Sequence, residues 1–349
     1  MKNNRRTFIK NSLKLTLASA FLSDLSLSDC RGDSGEGYIY TVNGEIKSSE
    51  LGFTLSHEHV LVDFSGADQY DPERWDDDEV VQVVAPYIKE IMDLGCKSLI
   101  ECTPIFIGRD PMLLKMISDE TGINILTNTG YYGASDNKYI PKSAYPASDK
   151  ELAELWINEF NSGIEGTGIK PGFMKIGVTP GSLSDFHRKI VTAAGLTHLE
   201  TGMIIASHTG PALPAFEEIE LLKSIGVSPE AFIWVHAQNE KDHLKHIKAA
   251  ETGARVSIDG LNKDNALQYA EWLMDFKNKG LLDRVLVSHD AGWYSPGEPE
   301  GGNFTPYTSI FKYLFPELEK RDFNSEDVNT VFVKNPAEAF SIKVRKVWQ

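Results

Sequence analysis

Two kinds of apolar pattern alternate along the chain. Short, nearly continuous runs of Val, Ile, Leu, Phe and Met fall at 52–57, 97–103, 123–129, 171–178, 202–208, 230–236, 254–259 and 284–289. Between and after them, near 77–94, 110–120, 149–161, 185–199, 214–225, 240–251, 264–279 and 306–318, apolar residues recur at three- and four-residue spacing. The first pattern reads as buried strands and the second as amphipathic helices. Strand–helix alternation predicts an α/β fold with a parallel sheet. Eight such units favour a closed (β/α)8 barrel of the TIM type over an open, doubly wound sheet. No Gly-x-Gly-x-x-Gly follows the first strand, so the signal of a dinucleotide-binding sheet is missing. Tyr38 to Ile46, around Asn43-Gly44, predicts a β-hairpin that lids the barrel floor. Residues 325–341 predict a small helical extension, broken at Asn335-Pro336.

Residues of metal-ligand type gather at the ends of these strand-like runs. His57 and His59 end the first, and two residues apart on an extended chain they share a face. Lys175 nearly ends the fourth, His208 the fifth and His236 the sixth, while Asp290 follows the eighth. Each has an ordinary reading alone: a snorkelling lysine, a hydrogen-bonded core histidine, a capping aspartate. Together they lie at the end of a barrel where active sites are built. Four imidazoles, a carboxylate and a lysine are donors enough for two divalent metals. His289 faces away from Asp290 on the strand and reads as a supporting or structural residue. His187, His198, His243 and His246 fall in helical patterns and read as surface residues.

Composition adds limits. The chain has 349 residues, within the range of a single α/β barrel. Its net charge of −15 argues against nucleic acid or an anionic membrane surface as the main partner. A small-molecule substrate is the expected partner, and a homodimer stays open. Three cysteines make no disulfide framework. Cys96 and Cys102 flank one strand, too far apart along it to bridge, and read as reduced core thiols.

Residues 1–30 read as an export signal, 31–36 as a linker and 37–349 as one barrel domain. Asn4-Arg5-Arg6-Thr7-Phe8-Ile9-Lys10 resembles a twin-arginine signal. Leu27-Ser28-Asp29-Cys30 resembles a lipobox, with Cys30 as the lipidated residue, although Asp29 departs from the small residue usual there. The expected location is therefore periplasmic, either soluble or anchored through lipid at Cys30.

The barrel region resembles the phosphotriesterase family of the amidohydrolase superfamily over residues ~44–341. The resemblance is carried by Gly52-Phe-Thr-Leu-Ser-His57-Glu-His59, Gly108-Arg109-Asp110, Asn128-Thr-Gly-Tyr131-Tyr132, Gly172-Phe-Met-Lys175, Thr197-His-Leu-Glu-Thr-Gly202 and Asn335-Pro336-Ala337. It implies a pair of divalent metals, usually zinc. By position, His57, His59 and Asp290 would hold the more buried metal and His208 and His236 the more exposed one. Lys175, as an N6-carboxylysine, would bridge both. Its apolar neighbours Phe173, Met174 and Ile176 favour the neutral amine that captures CO2. Two metals ~3.5–4 Å apart would share a nucleophilic hydroxide, with Asp290 as acid/base.

The expected activity is metal-dependent hydrolysis, with lactones first and sugar lactones or other carboxylic esters in view. Amides and phosphoesters are the alternative within enzymes, and a metal-loaded binding lipoprotein without turnover is the alternative outside them. Candidate substrate contacts are Arg109, Tyr131, Tyr132, Trp293 and Tyr294, with Gln238, Asn239 and Asn303 as hydroxyl partners. The run His236-Ala237-Gln238-Asn239-Glu240 departs from the Gly-Asp-Ser turn of lactone-hydrolysing relatives. Loop 291–305 reads as either a lid or a crossing to the last helix.

Overall fold

The strand-like runs form strands because they are buried on both faces, as a parallel sheet covered by helices requires. In the computed structural model, which describes residues 37–347, an antiparallel hairpin comes first, β1 (Tyr38–Thr41) and β2 (Gly44–Lys47). The barrel strands follow: β3 (Thr54–Glu58), β4 (Ser98–Glu101), β5 (Asn124–Leu126), β6 (Asn128–Thr129), β7 (Phe173–Gly177), β8 (Ile205–His208), β9 (Phe232–Val235), β10 (Arg255–Ile258) and β11 (Val285–Val287). Every barrel pairing is parallel, in the ladders β3-β4-β5 and β6-β7-β8-β9-β10-β11. β5 and β6 are two halves of the third barrel strand, interrupted at Thr127. The last strand meets the first through Ser56 Oγ to Val287 O (3.3 Å), Asp290 N to His57 O (3.1 Å) and His59 N to Ala291 O (2.9 Å), which carries the ring round to its start.

Helices α1 (Asp77–Asp93), α2 (Pro111–Thr121), α3 (Asp149–Ser162), α4 (Asp185–Thr201), α5 (Ala212–Ser224), α6 (His243–Glu251) and α7 (Ala266–Asn278) wrap the barrel. Most start where a polar side chain accepts a first-turn amide: Asp76, Asp110, Ser148, Ser184 and Asp242. One apolar layer lies between strands and helices. A second fills the barrel interior, where Ile39 of the hairpin, Leu51 and Phe340 pack beneath Ile100, Leu126, Phe173, Ile204, Ile233 and Leu286. The hairpin does close the floor. Its turn is Val42-Asn43, one residue earlier than expected, with Gly44 already paired to Thr41. Among the described residues, no helix is long and apolar enough to cross a membrane.

The expected break at Asn335-Pro336 is absent. Helical turns run on from Ser325 to Phe340 by way of a π turn over Thr330–Lys334. The helix expected at 306–318 uses the same device, a π turn over Ile310–Leu314 ahead of Pro316. Proline has no amide to donate and its ring crowds the preceding turn; a widened turn before it removes both conflicts. Asn335 Nδ2 then donates to Leu282 O (2.8 Å) and Val285 O (2.7 Å), tying this last helix to the start of β11.

Three of the helical histidines are buried, contrary to expectation, and each spends its ring on backbone. His187 Nε2 lies 3.0 Å from Gly133 O, His198 Nδ1 2.8 Å from Met203 O, and His246 Nε2 2.7 Å from Ala237 O. His243 is half-buried and stacks on Trp272. Cys96 and Cys102 are buried free thiols, as expected, with burial pushing Cys96 up to about 12. Residues 1–36, with the export signal, the linker and Cys30, lie outside the described residues.

One buried acid sits between α5 and β8. Glu218 is fully buried, with Ser207 Oγ at 2.5 Å and Thr209 Oγ1 at 2.7 Å. Burial pushes its carboxyl up to about 8, against the lowering effect of the two hydroxyls. Thr209 also has Ser207 O as an acceptor at 3.0 Å, so it has one proton for two acceptors; a proton on the carboxyl supplies the missing donor. A pKa raised in the fold contributes stability below the unfolded value of 4.5 that is lost as pH rises through about 8. Urea unfolding of the metal-free protein should therefore show a midpoint that falls between about pH 5 and pH 8 and levels off above. Glu218→Gln, which keeps a neutral donor and acceptor, should flatten that slope. Parallel slopes would mean that Glu218 is ionised in the fold.

Candidate metal centre

The expected ligands converge. Register pairs Lys175 with Ala206 and Gly177 with His208, so the ends of β7 and β8 lie side by side. His57, His59, Lys175, His208, His236 and Asp290 all line one pocket, with Val62, Phe64, Cys102, Pro104, Ile107, Tyr132 and Trp293. Ring centroids lie 5.3 Å apart for His57 and His59, 5.0 Å for His57 and His236, and 4.3 Å for His208 and His236. The cavity is small, about 80 Å3, and its lining includes the exposed rings of Phe64 and Trp293, which meet edge to face with centroids 5.5 Å apart.

Local backbone brings the side chains in. His236 and Asp290 both adopt left-handed φ, +60° and +55°, uncommon for non-glycine residues and a mark of functional sites. Beside them, two glycines permit close approach. A Cβ at Gly130 would lie 2.4 Å from Lys175 O, and one at Gly292 would lie 1.8 Å from His59 O. Beyond the barrel, 291–294 stays laced to 59–62, through His59 N to Ala291 O, Tyr294 N to Val60 O and Val62 N to Tyr294 O, each 2.9 Å. The start of loop 291–305 is thus pinned to the first strand.

The hydrogen bonds fix which ring nitrogen is bare. The Asp259 carboxylate accepts from His57 Nδ1 (3.0 Å), His236 Nδ1 (2.6 Å), His236 N (3.1 Å), Ser257 Oγ (2.8 Å) and Gln238 Nε2 (3.0 Å). His59 Nδ1 donates to Thr103 Oγ1 (2.8 Å), which donates in turn to the buried Glu101. His208 Nδ1 lies 3.1 Å from Tyr132 Oη. Asp259 takes the Nδ1 protons of His57 and His236, and Thr103 that of His59, so the Nε2 atoms of these three rings are left as lone-pair donors. His59 Nε2 faces Asp290 Oδ1 at 3.0 Å, and His57 Nε2 faces it at 3.6 Å. Acceptors that face one another need a cation between them. The ligand atoms of His57, His59 and Asp290 all lie within 4.8 Å of one another, a spacing one metal ion can bridge. His57, His236 and Asp259 are equally close, but there the carboxylate is filled by N–H and O–H donors, so that group orients ligands and holds no ion.

Electrostatics suits the same use. Burial lowers His57 to about 4, helped by Lys175 and opposed by Asp259. Burial, then His236 and Lys175, takes His208 well below its ordinary value. These rings are neutral at neutral pH, the form that binds metal. Lys175 is 2% exposed, and among the described residues its hydrogen-bond partner is His57 Nε2 at 3.1 Å, with no carboxylate in ion-pair range. The donor set fits divalent metal.

Of the candidate substrate contacts, Tyr132 and Trp293 line the pocket. Three do not. Arg109 is buried beneath the third-strand loop, bonded to Asn128 O, Glu159 and Glu165. Tyr131 packs edge-on against Trp156, and Tyr294 Oη donates to Glu79 (2.9 Å). Gln238 is not free for a substrate hydroxyl, because its amide is spent on Asp259, donating to Oδ1 and accepting from the backbone N. Asn239 and Asn303 are exposed and lie outside the lining. Asp259, Thr103 and Glu101 were missed as parts of the site, and Gln238 was named for a substrate hydroxyl and not for holding Asp259. Asp259 carried a weak signal: it follows β10 at the strand end where the ligand candidates lie, but Arg255 and Ser257 already interrupt that strand.

A profile of the phosphotriesterase family matches residues 37–340. The chain is 30% identical over 294 residues to the phosphotriesterase homology protein of Escherichia coli strain K12, across 83% of this chain and 98% of that protein. It is 28% identical over 308 residues to an aryldialkylphosphatase of Saccharolobus solfataricus, across 85% and 97%. An N-acetyltaurine hydrolase of Xenopus tropicalis is 24% identical over 350 residues, across 88% and 99%. Likeness that runs from the floor hairpin to the last helix leads to one conclusion: the chain is a hydrolase and belongs to the phosphotriesterase family.

Proposed function

We propose that the chain is a binuclear-metal hydrolase of neutral, apolar lactones or related carboxylic esters. The observation that carries this reading is the wall of the pocket. Outside the six metal-site residues it consists of Val62, Phe64, Cys102, Pro104, Ile107, Tyr132 and Trp293, with no charged side chain among them. A cavity of about 80 Å3 accepts a reacting carbonyl, and the rest of the substrate would lie over the Phe64 and Trp293 rim. A sugar lactone would leave its hydroxyls facing apolar surface, at a cost of roughly 1–3 kcal/mol for each unpaired group. A sulfonate, as in the substrate named for the Xenopus relative, would lack a cationic partner, since Arg109 is already paired. A neutral phosphotriester, in keeping with the name of the Saccharolobus relative, meets the same wall without penalty and is the second reading.

In this proposal His57, His59 and Asp290 would hold one divalent ion, zinc by preference, and His208 and His236 the other. Lys175 would add an anionic oxygen ligand as a carbamate, formed when its neutral amine nitrogen adds to CO2 and loses a proton. Bound metals supply a water nucleophile at neutral pH and polarise the substrate's carbonyl or phosphoryl oxygen. Asp290 takes the proton of the attacking water and returns it to the leaving group. Asp259 keeps His57 and His236 aimed throughout, and the aromatic rim excludes water around the reacting bond. We further propose export through Arg5 and Arg6, with Cys30 as the lipid-bearing residue. Lys in place of both arginines should retain the protein in the cytoplasm, seen by fractionation.

Purified protein should carry about two divalent ions per chain by elemental analysis, with chelator-sensitive turnover that zinc and bicarbonate restore together. Less than one ion per chain after reconstitution would overturn the reading. Asp290→Asn should lower kcat by roughly 10²–10⁴-fold, the usual worth of a positioned acid/base. Near-normal kcat in that variant would remove Asp290 from proton transfer. Competition among substrates should rank alkyl- or aryl-substituted lactones and esters above polyhydroxylated lactones and sulfonated amides in kcat/KM. The reverse order would place recognition outside the Phe64 and Trp293 rim.

A further inference from the structure

The first strand alternates, so the residue between the two histidines points away from the metals. That residue, Glu58, is fully buried, and its carboxylate sits behind the last strand. Oε1 accepts from His289 N (3.0 Å), His289 Nδ1 (2.6 Å) and Ser288 Oγ (2.7 Å). Oε2 accepts from Ala291 N (2.9 Å). The two oxygens therefore straddle Asp290, holding the amide on either side of it, while Asp290 N donates to His57 O at 3.1 Å. Asp290 is the residue with φ +55°. Successive amides around a left-handed residue form a concave nest that favours an anion, and here the anion is a side chain of the chain itself. His289 completes the anchorage: its Nδ1 donates to Glu58 and its Nε2 accepts from Ile310 N at 2.9 Å. The Glu58 carboxylate thus takes three donors on Oε1 and one on Oε2, and the left-handed turn has an electrostatic reason to persist.

We propose that Glu58 is a positioning residue that aims Asp290 at the metal site by holding both of its flanking amides. The inference rests on Asp290 being a metal ligand. Glu58→Gln removes one acceptor: whichever way the amide turns, an NH2 group meets an N–H donor, and one side of residue 290 comes loose. Ser288→Ala removes a bond to the same carboxylate without touching either flanking amide, and serves as the structural control.

The test is the visible ligand-field spectrum of the full chain loaded with Co2+, recorded with a thermal melt for wild type, Glu58→Gln, Ser288→Ala and Asp290→Asn. Bands in Glu58→Gln that shift toward those of Asp290→Asn, with Ser288→Ala keeping the wild-type spectrum, support the proposal. The Glu58→Gln kcat should also fall at least tenfold with KM within about twofold, on whichever lactone or ester the wild type hydrolyses. A wild-type spectrum in Glu58→Gln overturns the proposal while leaving Asp290 as a ligand. A wild-type spectrum in Asp290→Asn overturns the reading of Asp290, and the proposal with it. Should Glu58→Gln fail to fold, Glu58→Asp keeps the charge but is too short to reach both amides. It must shift the same bands, and an unshifted spectrum there counts against the proposal.

Discussion

Much of the site depends on one shared carboxylate. Asp259 accepts from an imidazole of the first strand and from one of the sixth, and it also fixes the backbone amide of the second. Each bond puts the ring proton on Nδ1 and leaves Nε2 bare toward the pocket. Without that arrangement these two imidazoles would be interchangeable tautomers. Five donors hold the carboxylate ionised although it is fully buried, and the imidazoles lower it more than burial raises it. Gln238 closes the arrangement from the loop, taking the position where a smaller acidic turn was the expected form.

The barrel and its candidate metal-site residues were legible in the sequence for a simple reason. A parallel strand is buried on both faces, so a polar residue at its end stands out against an apolar run. His57, His59, Lys175, His208, His236 and Asp290 all met that rule. Asp259 did not stand out in this way, because Arg255 and Ser257 already break the apolar pattern of its strand and an aspartate before Gly260 also reads as a turn residue. Less legible were roles decided by partners distant in the chain. Arg109 follows a strand as a substrate contact would, yet its charge is taken by Glu159 and Glu165, some fifty residues away. His187, His198 and His246 have helical spacing compatible with exposure, and tertiary contact with backbone carbonyls drew them inside. The helix through Pro336 was misread because local rules assume the regular turn, and a π turn relieves the conflict that would have broken it.

Polar and apolar functions are kept on separate layers of the pocket. The floor gathers the imidazoles, Lys175 and Asp290; the wall above them is aliphatic and aromatic. Low polarity above a charged floor strengthens every interaction made there and excludes competing water. It also explains how so small a cavity can serve a larger molecule, since apolar parts of a substrate can rest outside it on Phe64 and Trp293, which are 47% and 36% exposed.

The lacing of 291–294 to 59–62 bears on how such a pocket can diversify. On that side the mouth is an extension of the sheet, and the carbonyl of His59 leaves Gly292 no room for a side chain. Changes there would disturb a ligand strand and Asp290 together. On the other side, Tyr132 is likewise bridged to Gly177 on the strand of Lys175, whereas the segments of Phe64 and Ile107 are joined to each other, through Asp63 N to Ile107 O. A designer enlarging the mouth would begin at Phe64 and Ile107 and leave the eighth-strand edge alone.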